Sequence, residues 1–244
     1  MRIRRSEKRI SREEIKEILY RRRYVIPNAV TVGNMFCGFL AIMYASSGRF
    51  EKAVFAVLIA ILLDGRVARK LNATSKFGVE FDSLSDLVSF GVAPAVMMYH
   101  WAFHLLADEL GVAITFFYLL CAASRLARFN VSTENLKNFS GLPTPGAAVF
   151  VVAVINTAPY AQSSYLMVGV GMATMLSIGY LMVSTIEFFS IKQFKMSGIK
   201  RIGRLLLGLL IALTWYDPVI GLLVIAAAYA ASGPYMRIRS AHSI

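Results

Sequence analysis

The stretch LLDGRVARKLNATSKFGVEFDSLSDLVSFG, residues 62–91, interrupts an apolar sequence with three aspartates and several cations. The apolar runs on its two sides each approach the roughly 20 residues that a membrane-spanning helix needs. Ionisable groups within or beside such helices are costly unless they are paired, hydrated or bound to a metal. The stretch therefore predicts a helical hairpin in a membrane, with a functional site where its two helices meet.

The composition of the whole chain supports a membrane protein. Of 244 residues, 57% are hydrophobic and 16% are charged, and the mean hydropathy is +0.60. A soluble domain of this length needs more polar surface, so lipid must cover the excess. Cys37 and Cys121 lie in apolar runs and are too few for a disulfide framework. We predict an all-α, polytopic membrane protein.

Eight transmembrane helices are predicted from the apolar runs. They cover approximately residues 28–47, 51–70, 78–99, 109–129, 145–161, 164–186, 202–215 and 217–234. Asp217 and Pro218 follow two aromatic residues between the last two runs, which suits a turn at a membrane interface. We predict three regions: a basic N-terminal segment (1–26), a core (27–195) and a C-terminal helical pair with a basic tail (196–244).

The N-terminal segment contains SREEIKEILYRRR, residues 11–23, which predicts an amphipathic helix on the membrane surface. Ser11 and Glu14 have the spacing of a capping box, and a narrow apolar face follows. A solvated tail that only sets topology is an equally good interpretation.

The basic residues predict the orientation. With a cytoplasmic N-terminus, all lysines and arginines except Arg49 and Lys52 fall in cytoplasmic segments, as the positive-inside rule expects. Both termini and the aspartate-rich stretch are therefore predicted to face the cytoplasm, as in a multi-pass protein of the cell membrane.

The three aspartates predict a divalent metal site. Asp82 and Asp86 are four residues apart and share one helix face. Asp64 ends the preceding apolar run and can face them across the hairpin. Carboxylate oxygens suit hard ions such as Mg²⁺ or Mn²⁺, which relieve the repulsion between like charges.

The neighbours of the aspartates favour phosphoryl-group transfer. Gly65 and Gly78 leave space near the carboxylates, and Arg69 adds a cation suited to a phosphate. The alternative is that the aspartates only form interfacial ion pairs with Arg66 and neighbouring cations, or that they form the ion site of a cation transporter.

The spacing of these residues resembles the signature of the CDP-alcohol phosphotransferase family, D-x2-D-G-x2-A-R-x8-G-x3-D-x3-D. Three further stretches resemble the phosphatidylserine synthases within that family. They are PNAVTVGNMFCGFLAI (27–42), ASRLARFNVSTENLKNFSGLPTPGAA (123–148) and LMVSTIEFFSIK (181–192).

The resemblance implies transfer of a phosphatidyl group from CDP-diacylglycerol to L-serine, giving phosphatidylserine and CMP. It implies Mg²⁺ or Mn²⁺ held by Asp64, Asp82 and Asp86, with Asp86 as general base, and a homodimer. It also implies that the nucleotide and its phosphates lie among Gly65, Ala68, Arg69 and Gly78.

Polar residues on other runs are candidates for substrate contacts. Asn28 and Thr31, at the start of the first span, can hydrogen-bond the nucleotide or can be ordinary helix-end residues. Arg125 and Arg128, followed by Asn130, can hold the serine carboxylate in a bidentate fork or can only anchor the helix in the cytoplasmic interface.

The chain departs from the family signature at one position. An aspartate is expected three residues before the Asp-Gly pair, and Ile61 stands there. The residues before Asp64 resemble those that precede the first aspartate of the signature, whereas the residues after it resemble those that follow the second. It is as though three residues were missing between the two aspartates. That loss corresponds to about 4.5 Å of helix and a rotation of roughly 60°. It predicts weakened metal binding and a rotated second span.

Two alternative enzyme activities stay open. An archaetidylserine synthase would carry out the same reaction on an ether lipid, and a phosphatidylglycerophosphate synthase would use glycerol-3-phosphate as acceptor. The second acceptor carries an extra phosphate and calls for more cations than the region of Arg125 and Arg128 provides.

Overall fold

The computed structural model describes residues 12–64, 76–106, 109–131, 139–160, 164–188 and 214–241. The helices are α1 (Arg12–Ser46), α2 (Phe50–Leu63), α3 (Lys76–Ala102), α4 (Leu110–Val131), α5 (Thr144–Asn156), α6 (Tyr165–Val183) and α7 (Pro218–Ala241). Two-residue strands, β1 (Phe139–Ser140) and β2 (Glu187–Phe188), pair antiparallel. The predicted all-α class is confirmed.

Five helices in the described ranges are long and apolar enough to cross a membrane. They are Asn28–Ser46, Lys76–Ala102, Leu110–Val131, Tyr165–Val183 and Pro218–Tyr235. The chain is a membrane protein, but the predicted count of eight spans is not confirmed. Helices α2 and α5 are shorter, with 14 and 13 residues, and most of the predicted span 202–215 lies outside the described residues.

Two predicted helix boundaries differ from the structure. Helix α1 runs without a break from Arg12 to Ser46, so the predicted amphipathic segment continues directly into the first span. Helix α2 ends at Leu63 rather than near residue 70. The backbone of Asp64 leaves the helical conformation, with φ −54° and ψ 122°. The first helix of the predicted hairpin therefore ends about seven residues before the point that hydropathy predicts.

Small residues allow α1 and α2 to approach each other closely. Ala41 and Ala45 of α1 and Ala53, Val57 and Ala60 of α2 are all at most 1% exposed. Alanines at the contact let two helix backbones pack at short range, as is common in membrane proteins. This packing brings the end of α2 close to the first span.

A wide turn in α3 lies immediately after Asp86. Residues Leu87–Val92 form a π-helix, in which the Ala93 N–H donates to the carbonyl of Val88. The α-helical donor to the Phe90 carbonyl would be the N–H of residue 94, but Pro94 has none. The Tyr118 hydroxyl of α4 donates to that carbonyl instead, at 3.0 Å. Single π-turns of this kind often accompany functional sites.

The segment before α5 is a short irregular stretch held by β2 and α6. Gly141 has φ +84°, and a Cβ there would collide with the carbonyl oxygen of Met182, so only glycine fits. The Gly141 N–H donates to the Ile186 carbonyl and the Leu142 N–H to the Leu181 carbonyl. These bonds satisfy the irregular backbone and fix the start of α5.

The last helix begins where the aromatic and proline cluster predicts a boundary. Asp217 caps α7, because its Oδ1 accepts from the N–H groups of Val219 and Ile220 at 2.9 and 3.1 Å. Trp215 and Tyr216 are 91% and 90% exposed, which suits a membrane interface.

Candidate active site

The three predicted aspartates meet in one cluster. One carboxylate oxygen from each of Asp64, Asp82 and Asp86 lies within 4.8 Å of the others, and all three side chains are half-buried. Asp82 and Asp86 lie one turn apart on α3, and Asp64 comes directly after α2. Three half-buried carboxylates repel one another strongly unless a cation joins them, and oxygen ligands at this spacing fit a divalent metal ion.

Asp64 lies on the packed face of α2. The buried positions Ala53, Val57 and Ala60 form one stripe along the helix, and Asp64 continues it at the same spacing. Ile61 packs against the apolar core instead. Core packing thus sets the phase of α2 that brings Asp64 to the cluster, and the predicted rotation of the second span relative to the family stays a prediction.

Helix α1 supplies polar partners to two of the carboxylates. The Thr31 hydroxyl donates to Asp82 Oδ1 at 3.4 Å. The Asn34 amide nitrogen donates to Asp86 Oδ1 at 2.9 Å. Asn34 is 1% exposed, so this bond forms away from water and orients the Asp86 carboxylate.

Two serines of α3 fasten it to α1 around the same contact. The hydroxyl of Ser85 donates to the Thr31 carbonyl at 3.0 Å, and that of Ser89 donates to the Asn34 carbonyl at 2.9 Å. The helices approach so closely because residue 38 is glycine: a Cβ there would lie 2.5 Å from Ser89 Oγ. These bonds hold Thr31 and Asn34 in register with the aspartates.

The hydrogen bonds described above do not involve the side-chain oxygen of Asn34. Its Oδ1 is buried and accepts no hydrogen bond in the part of the chain described. Buried acceptors are nearly always paired. An unpaired amide oxygen beside three carboxylates fits a site that is completed by a cation or by a donor group of a ligand.

A half-buried cation also lies near Asp86. The Arg125 guanidinium on α4 interacts electrostatically with the Asp86 carboxylate. Its Nη1 donates to the hydroxyl of Thr144, at the start of α5, at 2.8 Å. Its Nε is buried and has no hydrogen-bond partner among the described residues. The site thus combines carboxylates for a metal with a guanidinium for an anionic group.

Comparison with known proteins identifies the family. The sequence model of the family described as CDP-alcohol phosphatidyltransferase matches residues 24–177. The chain belongs to this family. The match covers α2 through α5, the first two thirds of α6 and the membrane part of α1, and thereby all the site residues described above.

Several curated relatives of the family are similar to the chain. A CDP-diacylglycerol–serine O-phosphatidyltransferase of Helicobacter pylori (strain J99) is 39% identical over 180 residues, covering 70% of this chain and 75% of that protein. One of Bacillus subtilis (strain 168) is 36% identical over 171 residues, covering 69% and 92%. An archaetidylserine synthase of Methanothermobacter thermautotrophicus is 36% identical over 168 residues, covering 67% and 69%.

The structure describes only some of the residues predicted to contact the nucleotide. Gly78 lies in the first turn of α3, and Asn28 lies one turn before Thr31 on α1; both are half-buried. Gly65, Ala68 and Arg69 lie outside the described residues, so their predicted nucleotide contacts stay predictions.

The other two predicted serine ligands have partners within the protein. Arg128 Nη1 donates to the Val183 carbonyl at the end of α6, at 3.2 Å. Asn130 accepts from the Ser83 hydroxyl and donates to Glu80 Oε2, both at 3.1 Å. These bonds tie α4 to α6 and α3, and of the three predicted residues Arg125 is the one beside Asp86.

Sequence reasoning missed Asn34, Ser85 and Ser89. Their one sequence signal is spacing: Asn34 follows Thr31 by three residues, and Ser85 and Ser89 are four residues apart on the face next to the aspartates. Isolated polar residues in an apolar span are candidates for contacts between helices.

Proposed function

We propose that this chain transfers the phosphatidyl group of CDP-diacylglycerol to the hydroxyl of L-serine, giving phosphatidylserine and CMP in phospholipid biosynthesis. The observation that carries the proposal is the meeting of the three aspartates with Arg125 around Asp86. Two of the similar proteins described above are named for this reaction, and the family match covers the site.

Asp86 acts as the general base. Its Oδ1 accepts from Asn34, which leaves Oδ2 to take the proton of the serine hydroxyl. The serine oxygen then forms a bond to the phosphorus of the phosphatidyl group. The bond from that phosphorus to CMP breaks, and CMP leaves with the electron pair.

A divalent cation, Mg²⁺ or Mn²⁺, belongs at the three aspartates. When bound, it supplies positive charge next to the pyrophosphate of the lipid substrate. Asp64, Asp82 and Asp86 are its protein ligands in this proposal, and Thr31 orients the carboxylate of Asp82. The chain has three of the four aspartates of the family signature, and the absence of one lowers the affinity for metal rather than removing the site.

The nucleotide side of the substrate lies at the cytoplasmic ends of α1 and α3. Gly78, Asn28 and Thr31 are near that end of the cluster, and the family signature adds Gly65, Ala68 and Arg69. On the acceptor side, Arg125 holds the serine carboxylate, because a guanidinium can donate two parallel hydrogen bonds to it. Arg128 and Asn130, which have hydrogen-bond partners within the protein, are proposed to lie at the outer edge of this subsite.

A second candidate is archaetidylserine synthesis, the same transfer on an ether lipid. The observation in its favour is the 36% identity to a protein named archaetidylserine synthase. The polar site is the same in both cases, so the lipid chains alone distinguish them. Parallel assays with acyl and ether CDP-lipids decide between the two.

Two other functions of the site are less well supported. A phosphatidylglycerophosphate synthase must bind a second phosphate, and Arg125 is the one cation beside Asp86 in the described part of the site. A cation transporter needs an ion path near the middle of the membrane, whereas Asp64 ends its helix and Asp82 lies in the second turn of α3.

The decisive experiment measures CMP release from CDP-diacylglycerol by the purified chain. We expect release that depends on L-serine and on Mn²⁺ or Mg²⁺, and little release with glycerol-3-phosphate. Asp86→Asn is expected to abolish it. Equal rates with glycerol-3-phosphate, or metal uptake by vesicles without CMP release, would contradict the proposal.

We further propose a homodimer in the cell membrane, with both termini and the site facing the cytoplasm. The family resemblance and an exposed apolar face of α1 support the dimer; this face comprises Val32, Phe36, Phe39 and Met43. Small residues on α1 and α6 could also allow close contact between two copies, but three glycines there pack within the chain, since a Cβ at each would lie 3.4 Å or less from one of the chain's own side chains. They are Gly33, Gly171 and Gly179. Gly169 faces open space. A monomer after crosslinking in native membranes would contradict the dimer.

A further inference from the structure

The C-terminal helix α7 lies outside the residues that the family model matches, yet it reaches the acceptor side of the site. Its half-buried Tyr229 packs on α5, close enough to the Arg125 guanidinium for the two groups to interact electrostatically. The residue lies far from the aspartates in sequence and belongs to none of the motifs above. Its position in the fold therefore suggests a role that the family signature does not contain.

A glycine of α5 makes room for the Tyr229 ring. A Cβ at Gly146 would lie 2.9 Å from Cε1 and 3.3 Å from Cδ1 of Tyr229. Gly146 comes two residues after Thr144, whose hydroxyl accepts from Arg125 Nη1. The first turn of α5 thus fixes the positions of both the tyrosine ring and the guanidinium.

Phe188 of β2 sets the rotation of α7 about its axis. Its ring centroid lies 6.2 Å from that of Tyr229, and a Cβ at Gly233 would lie 2.6 Å from its Cζ. Tyr229 and Gly233 are one helical turn apart and share a face. Phe188 therefore packs against this face of α7, beside Tyr229.

Arg125 has donor capacity that the protein leaves unused. Its Nη1 is bonded to Thr144, whereas its buried Nε has no partner among the described residues. A buried donor without an acceptor is costly, so the site favours an anionic ligand group. A carboxylate has two oxygens, and a phenol hydroxyl beside the guanidinium offers a second kind of donor to it.

We propose that Tyr229 is a specificity-determining residue, whose hydroxyl donates a hydrogen bond to the carboxylate of the L-serine acceptor while Arg125 binds the same group. The inference rests on the proposed serine transfer. It assigns part of the acceptor subsite to α7, and it makes the C-terminal helix a component of the site.

The test is Tyr229→Phe in the full-length chain, since this change removes the hydroxyl and keeps the ring that packs on Gly146. We expect the KM for L-serine to rise about tenfold, as for a lost hydrogen bond to a charged group. We expect kcat and the KM for CDP-diacylglycerol to stay within about twofold. The matched control is Tyr235→Phe on the same helix, where the side chain is 65% exposed.

Gly146→Ala tests the same hydroxyl without changing the tyrosine. The added methyl displaces the ring, so the serine KM is expected to rise here too, and combining it with Tyr229→Phe should add little. An unchanged serine KM in an active Tyr229→Phe enzyme overturns this inference alone, as does an equal rise in both KM values. Absence of serine-dependent CMP release from the unmodified chain overturns the proposed function and this inference with it.

Discussion

At the scale of single residues, Asn34 is the side chain on which the orientation of Asp86 depends. Its amide donates to the carboxylate at 2.9 Å, and Asn34 is 1% exposed. Replacing the partner that orients a metal ligand or base typically costs 10- to 100-fold in activity or metal affinity. We therefore expect Asn34→Ala to lower kcat for CMP release by about 10- to 100-fold.

The control for this prediction is Ser89→Ala. Ser89 makes a buried bond of the same α1–α3 contact, to the Asn34 carbonyl, but touches no carboxylate. We expect this variant to melt earlier in detergent and to keep its kcat. If both variants lose stability and activity in parallel, Asn34 serves only the packing of the helices.

The missing family aspartate is also a question of single residues. Because Ile61 is half-buried and packs on the apolar core, Ile61→Asp places a charge against apolar side chains and should destabilise the chain, by at most about 3–5 kcal/mol, the cost of an uncompensated buried charge. Inserting Gly-Leu-Asp after Asp64 adds the carboxylate beyond the end of α2 and leaves the core intact. We expect the insertion to raise turnover and to lower the Mn²⁺ concentration required, whereas Ile61→Asp does neither.

The matched control is insertion of Gly-Leu-Asn, which restores the length without the charge. CMP release is measured in all four proteins across a Mn²⁺ titration. Should the natural sequence match the Gly-Leu-Asp variant in rate and metal requirement, three carboxylates suffice and the chain has no defect.

At the scale of the elements, the crossing of α1 and α3 determines the site. A Cβ at Gly38 would lie 2.5 Å from Ser89 Oγ and 2.7 Å from Ser89 Cα. Since the second atom is backbone, the helices must separate to admit a methyl group. Gly38→Ala is expected to destabilise the protein by about 1–3 kcal/mol and to reduce activity, because Asn34 lies one turn away on α1.

The control is Gly169→Ala in α6, where a Cβ meets nothing within 4 Å. In a helix interior, alanine is favoured over glycine by up to about 1 kcal/mol, so this variant should be as stable as the parent or more so. Thermal unfolding in one detergent measures both. Equal melting temperatures for the two variants would mean that the α1–α3 contact is looser than described.

At the scale of the whole molecule, the distribution of basic residues predicts the orientation in the membrane. Lys76, at the start of α3, should face the cytoplasm, and Arg49, before α2, should face outward. Both side chains are exposed. In a chain with Cys37→Ala and Cys121→Ala, a membrane-impermeant maleimide on intact cells should label the Arg49→Cys variant and not the Lys76→Cys variant. The reverse pattern would invert the topology.

The sequence by itself determined the class and the family. Hydropathy predicts membrane helices because a span needs a long apolar run, and the i, i+4 spacing puts Asp82 and Asp86 on one face in any helix. The signature spacing predicted the family that the comparison found over residues 24–177. These are local properties, since they depend on residues close together in the chain.

Only the tertiary structure decided which other side chains surround the candidate site. Asn34 is separated from Asp86 by 52 residues, and Tyr229 lies on the last helix. Hydropathy gives the length of each helix but not its rotation about its own axis, which depends on contacts such as Gly38 with Ser89 and Gly233 with Phe188. For the same reason, the phase of α2 at Asp64 follows from core packing, and no count of residues in the motif could decide it.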